Sequence, residues 1–309
     1  MGPQIAYIGL GNIGRSMSAN LVAKGRLDGD KPLILYNRTA SRAAALSEKL
    51  GSSQTKVATT VEDAVKPADI IFICLASDKA FWEVMSLALR NDVVGKVFVE
   101  VSSLHPDTAK ELGAMVTAKG GEFVLSPVWS PPSAAEQGQL IAALAGPAKF
   151  TDKIRPYLEG VTCRAIVDFS GQDWSKACLT KVVGNTFLIS MSETLGQGLT
   201  LAEKSGLGVD KLFEWVQILW PGPYVEYATR MVQGQYHARD EPQGPVDMVI
   251  KDATHALDLG EATGTKLYNM ELGLRHLEGV KKRQGAKGDM TGIYGMIREE
   301  SGLPFENDV

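Results

Sequence analysis

The chain has 309 residues, with 32 basic and 36 acidic side chains and a formal net charge of −4. That balance excludes a polycationic nucleic-acid surface, and the longest apolar run, residues 182–201, is broken by Asn185, Glu193 and Gln197, which excludes a membrane span. Three scattered cysteines, Cys74, Cys163 and Cys178, form no disulfide framework and point to a reducing, cytoplasmic compartment, while the four histidines lack metal-ligand spacing.

An apolar strand at residues 5–8 begins the chain almost at once, so no leader is expected. It runs into Gly9-Leu10-Gly11-Asn12-Ile13-Gly14 and then a helical stretch. A glycine fingerprint between strand and helix predicts a dinucleotide site. Gly9 permits the tight turn, Gly11 lets the backbone approach a pyrophosphate, and Gly14 lets helix pack on strand. The helix start offers N–H groups and a positive dipole to the phosphates.

The second strand ends in Tyr36-Asn37-Arg38-Thr39. An NAD site usually carries a carboxylate there for the ribose 2′-OH. Here Asn37, Arg38 and Thr39, with Arg42 beyond, suit a 2′-phosphate, so NADP(H) is the expected cofactor. A helix is predicted at 41–50, a strand at 57–59, a short helix at 61–66, and strands at 69–75, 97–101, 122–125, 140–145 and 164–167. Alternating β and α elements predict a Rossmann-type α/β domain with a parallel, doubly wound sheet covered on both faces.

Past residue 170 only helices are predicted, at 174–205, 209–219, 224–232, 248–263, 266–284 and 288–300. The first exceeds an ordinary globular helix, which suggests packing between domains or subunits. The expected organisation is a nucleotide-binding domain, 1–168, and an all-α substrate and dimerisation domain, 169–309.

Five separated motifs together resemble the β-hydroxyacid dehydrogenases, relatives of 6-phosphogluconate dehydrogenase and the imine reductases. They are the glycine motif; Cys74-Leu75-Ala76, where the family has Met-Leu-Pro; Glu100-Val101-Ser102-Ser103-Leu104-His105-Pro106, like Asp-x-Ser-Ser/Thr-Ile-x-Pro; Lys181-Val182-Val183-Gly184-Asn185, like Lys-x-x-Asn-Asn/Gln; and Ile250-Lys251-Asp252. The resemblance implies cofactor contacts for Leu75, Ala76, Ser103 and Lys251. It implies that Lys181 is the catalytic lysine, with Asn185 in support, and that the protein is a homodimer.

Lys181 and Asn185 are four apart on a predicted helix and share a face. A lysine near a carbonyl oxygen can protonate the developing alkoxide and act as base in reverse. Its ordinary pKa of about 10.4 falls toward the working range beside a cationic nicotinamide. Lys176, His105, His255 and Asp252 read as structural.

One loop departs from the family. Where relatives have Asp-x-Pro-Val-Ser-Gly-Gly, this chain has Ser126-Pro127-Val128-Trp129-Ser130-Pro131 after Leu125. Proline brings no N–H and the indole fills space, so the carboxylate-binding pattern is disturbed. With Trp220 and Tyr224, Trp129 and Ser130 become candidate contacts for a less acidic, more apolar substrate. The leading expectation is an NADP(H)-dependent dehydrogenase acting on a carbonyl/alcohol pair. An imine reductase and a non-catalytic NADP(H)-binding sensor are the alternatives.

Overall fold

The computed structural model describes residues 2–25 and 27–308, in two compact units, Met1–Lys181 and Val182–Val309. The first unit alternates strands and helices: β1 (Ile5–Ile8), α1 (Asn12–Lys24), β2 (Leu33–Tyr36), α2 (Ala40–Leu50), β3 (Thr55–Val57), α3 (Val61–Val65), β4 (Ile70–Ile73) and α4 (Asp78–Ala88). It continues with β5 (Val97–Glu100), α5 (Pro106–Ala118), β6 (Glu122–Leu125), β7 (Val128–Trp129), α6 (Pro132–Glu136), β8 (Leu140–Gly146), α7 (Ala148–Leu158) and β9 (Cys163–Ser170).

The sheet order is β3-β2-β1-β4-β5-β6-β8-β7, with β9 on β8. From β3 to β6 every pairing is parallel. The apolar strands bury both faces: Ile5 and Tyr7 enter one core layer, Ala6 and Ile8 the other. The chain order reverses between β1 and β4, where doubly wound sheets open a crevice at the strands' carboxyl ends.

The all-parallel expectation fails at one edge. β8 runs antiparallel to β6 and β7. The link 130–139 holds only the five-residue α6, too short for a right-handed crossover. β6 and β7 act as one strand interrupted at Ser126-Pro127, with Pro127 O still accepting from Ala143 N at 3.0 Å. β9 is an exposed edge strand, longer than the predicted 164–167.

Trp174 fastens the end of this unit. Its indole N–H donates to Phe123 O at 2.8 Å, and its ring lies over Gly113 of α5. A Cβ on Gly113 would meet Trp174 Cζ3 at 2.4 Å, so only glycine fits.

The 30-residue α8 (Ser175–Lys204) runs through the boundary at 181/182 into the helical unit. There follow α9 (Val209–Leu219), α10 (Pro223–Val232), α11 (Gln235–Ala238), α12 (Val246–Thr263), α13 (Tyr268–Gln284) and α14 (Ile293–Glu300). Ile189, Leu195 and Leu199 of α8 are buried in this unit with Met231, Leu277, Tyr294 and Phe305. Polar ties cross the same core. The Arg230 guanidinium pairs with Asp289, which also accepts from Gly244 N and Thr291 N at 2.9 Å.

His276 is a second tie, buried between two carboxylates. Its Nδ1 lies 2.8 Å from Glu193 Oε1 and its Nε2 3.3 Å from Glu300, itself 3.5 Å from Arg275. Burial opposes the imidazolium, but the Glu193 and Glu300 contacts outweigh it and raise the pKa above the ordinary value. A raised pKa stabilises the fold below the unfolded value of about 6.5 and loses that contribution as pH climbs through the folded value. Urea unfolding should therefore show wild type ahead of His276→Gln at about pH 6, with the gap closing as pH rises above about 7. Thermal melting of Gly113→Ala should show a loss of about 2 kcal/mol from overpacking against Trp174.

Candidate functional site

The glycine turn is built from close backbone approaches. Gly9 has φ +94°, and a Cβ there would lie 2.1 Å from Cys74 O. A Cβ on Gly14 would lie 2.0 Å from Gly9 O. Gly11 differs: no protein atom comes within 4 Å of its missing Cβ. It caps α1 without a side-chain hydrogen bond, and no acidic residue stands in the first turn. Bare backbone, open space and a helix dipole together fit a pyrophosphate group.

At the end of β2, Asn37 turns inward. Its Oδ1 accepts from Leu10 N at 2.9 Å, and its Nδ2 donates to Thr39 O at 3.1 Å. These two hydrogen bonds tie Asn37, a residue the sequence assigns to the cofactor, to the glycine turn. Arg38 and Thr39 are exposed. A cleft of about 470 Å³ opens beside Leu10 between α1 and α2, with Arg15, Arg42 and Lys49 on its walls.

Across β1, the loops after β4 and β5 are tied together. Leu75 N donates to Ser102 Oγ at 2.7 Å, and Ser102 N donates to Glu100 Oε1 at 2.5 Å. Ala76 is exposed, and Leu75 and Ser103 are half-buried. The sequence reading gave Glu100 no part in this. A fully buried carboxylate ahead of two serines was the available signal. The cysteines are poor nucleophiles: burial and then Glu100 push Cys74 up to about 12, and burial pushes Cys163 to about 11.

Lys181 reaches the loop that departs from the family. Its Nζ donates to Val128 O at 2.8 Å and lies 4.9 Å from the centre of the Trp129 ring. The Trp129 indole N–H is buried without a hydrogen-bond partner among the described residues. Ser130 takes φ +118°, a conformation suited to glycine. Pro131 then caps α6.

In the helical unit, Asn185 Nδ2 donates to Asp252 Oδ2 at 2.7 Å, and Lys251 Nζ lies 3.5 Å from Asp252 Oδ1. Asp252 thus orients Asn185, a pairing that no sequence spacing predicts. Asn185 is four residues beyond Lys181 on α8. Trp220 lies 5.1 Å from Tyr224 and from Trp215, ring centre to centre, forming an aromatic row at the α9–α10 corner. Of the side chains set apart as structural, His105 caps α5 by accepting from Asp107 N. Among the described residues no cluster of His, Cys, Asp or Glu could hold a metal, and no helix is long and apolar enough to cross a membrane.

Residues 4–171 match the NAD binding domain of 6-phosphogluconate dehydrogenase. An NADH-dependent oxidoreductase, ucdB of Aspergillus ustus, is 32% identical over 95% of this chain and 98% of its own. Among solved structures, 3-hydroxyisobutyrate dehydrogenase from Mycobacterium tuberculosis, with L-serine, superposes with TM-score 0.79 at 20% identity, over 96% of this chain and all of that one. An imine reductase from Streptomyces aurantiacus superposes at 0.62 with 24% identity, over 96% and 99%. These matches follow the path of the glycine turn, the doubly wound sheet and the helical unit: the chain is an NAD(P)-binding oxidoreductase of the β-hydroxyacid dehydrogenase family.

Proposed function

We propose that this oxidoreductase uses NADP(H) to interconvert a small carbonyl compound and its alcohol, with Lys181 as general acid and base. The observation that carries the reading is the setting of Lys181: an ammonium anchored on Val128 O, facing the Trp129 ring. Bound NADPH would supply the hydride. Lys181 would give a proton to the oxygen that gains charge and take it back in reverse. The Trp129 ring, 4.9 Å from Nζ, faces the ammonium that would carry that proton. Asn185, held by Asp252, would hold the substrate oxygen one turn along the same helix.

For the cofactor, residues 9–14 would receive the pyrophosphate at the start of α1. Arg38 and Thr39 would take the 2′-phosphate, since Asn37 is spent on the turn. Leu75, Ala76 and Ser103 would line the nicotinamide half, as the family resemblance implies. On this reading residues 1–168 bind cofactor, and 169–309 bind substrate and form a homodimer. The exposed Trp215, Ile218, Leu219 and Trp220 of the helical unit supply apolar surface for a second copy.

Where the family motif has Ser-Gly-Gly, Trp129 offers an indole in place of the serine and Pro131 removes one backbone N–H. The substrate we favour is accordingly less acidic, with an apolar body. The same loop supports a second reading, reduction of imines.

NADPH oxidation, followed optically against semialdehydes, ketones and preformed imines, tests these assignments. Lys181→Ala should lower kcat on carbonyl substrates by about 10²–10⁴-fold while leaving NADPH affinity unchanged. Turnover of imines alone would transfer the assignment to the second reading, and NADPH binding without any turnover would leave a sensor. Arg38→Ala should raise the KM for NADPH about tenfold or more, and leave that for NADH unchanged. Equal changes for both cofactors would remove Arg38 from the 2′-phosphate.

A further inference from the structure

Glu100 is the last residue of β5, wholly buried, with a carboxylate that the proposed chemistry does not use. Burying a carboxylate is costly unless hydrogen bonds hold it. This one accepts the Ser102 N–H at 2.5 Å, and Ser102 Oγ in turn accepts the Leu75 N–H at 2.7 Å. One side chain therefore fixes the loop after β5 and, through a single hydroxyl, the loop after β4. Its own carbonyl accepts from Ser126 N at 2.7 Å, so the loop after β6 starts from the same residue. Cys74, next to Leu75, senses the same carboxylate: after burial, Glu100 is the largest influence raising its thiol.

The topology gives this knot a direction. The glycine turn follows β1; β2, with Arg38 and Thr39 at its end, is on one side, and β4 and β5 are on the other. A dinucleotide across this crevice has its two halves on opposite sides of β1. The adenosine half then meets nothing tied to Glu100, whereas the nicotinamide half meets loops whose backbone Glu100 holds.

We propose that Glu100, through Ser102, is a positioning residue for the nicotinamide half of the cofactor and does not act on the adenosine half. The proposal rests on the cofactor assignment above. A hydrogen bond from a backbone N–H to a buried side-chain oxygen orients the peptide it holds. Loosening it shifts the Leu75-Ala76 and Ser103 peptides and leaves the hydrogen bonds of Asn37 at the end of β2 in place.

Binding of NADPH and of 2′-phosphoadenosine, measured calorimetrically on wild type, Glu100→Gln and Ser102→Ala, tests it. Both variants should weaken NADPH about tenfold, a typical loss for one such hydrogen bond, and leave 2′-phosphoadenosine within about twofold. Ser102→Ala keeps the carboxylate and removes only the hydroxyl, so it decides the matter even if Glu100→Gln does not fold. Equal weakening of both ligands, or unchanged NADPH affinity in folded Ser102→Ala, overturns the proposal. Failure of the underlying assignment shows separately, in wild type alone. If wild type prefers NADH, Arg38 loses its role while the same comparison, NADH against ADP, still decides for Glu100.

Discussion

The nucleotide-binding unit depends on how closely its backbone comes to itself at Gly9. The end of β1 lies so near the end of β4 that a methyl group on Gly9 would sit 2.1 Å from Cys74 O. That approach closes two hydrogen bonds of 2.9 Å, Gly9 N to Tyr36 O and Cys74 N to Ile8 O. The ends of β1, β2 and β4 thereby meet at one point. Gly14 repeats the device one turn into α1, whose first residues lie against the Gly9 carbonyl. No side chain could stand at either position, whereas the space beside Gly11 is open.

Around that contact, polar side chains act as clamps on backbone. Asn37 bridges Leu10 and Thr39, so the residue that ends β2 also sets the glycine turn. Glu100 and Ser102 do the same for the loops on the other side of β1. The two core layers position the strands to within a residue, but apolar packing has no direction and leaves loop peptides free to rotate. Hydrogen bonds from buried carboxamide, hydroxyl and carboxylate groups remove that freedom, and in the interior they are stronger than in water. The helical unit uses the same approach in Asp289, Glu193 and Asp252, each of which receives hydrogen bonds from other segments.

Elements set by local pattern were legible in the sequence. Fully apolar runs became β4 and β5, the glycine fingerprint became the β1–α1 turn, and the uninterrupted stretch before Gly206 became α8. Elements set by partners were not. β7 is two residues long and exists because Val128 and Trp129 pair with Ala142 and Ile141. The antiparallel run of β8 follows from a short link, which periodicity does not record. For Lys181 and Asn185, the sequence spacing gave their place one turn apart on a helix, which α8 provides. The partners that hold them, Val128 O and Asp252, are 53 and 67 residues away in the chain and have no motif. Asn37 likewise has partners that no motif records, Leu10 N and Thr39 O.

The loop at 128–131 separates what the fold requires from what the chemistry selects. Ser130 keeps φ +118°, a conformation in which a residue other than glycine costs about 1–3 kcal/mol. It persists because both neighbours are fixed. Trp129 is locked into β7 by its pairing with Ile141, and Pro131 has a rigid ring at the start of α6. The backbone path is therefore held while Trp129 brings an indole and Pro131 brings no N–H. Lys181 takes its hydrogen bond from this strand at Val128 O, a main-chain atom that survives any substitution there. A change of side chain at residue 129 thus alters what the lysine faces without altering where it is anchored. On the proposed mechanism, that separation would keep the proton donor in place while residue 129 sets what lies beside it.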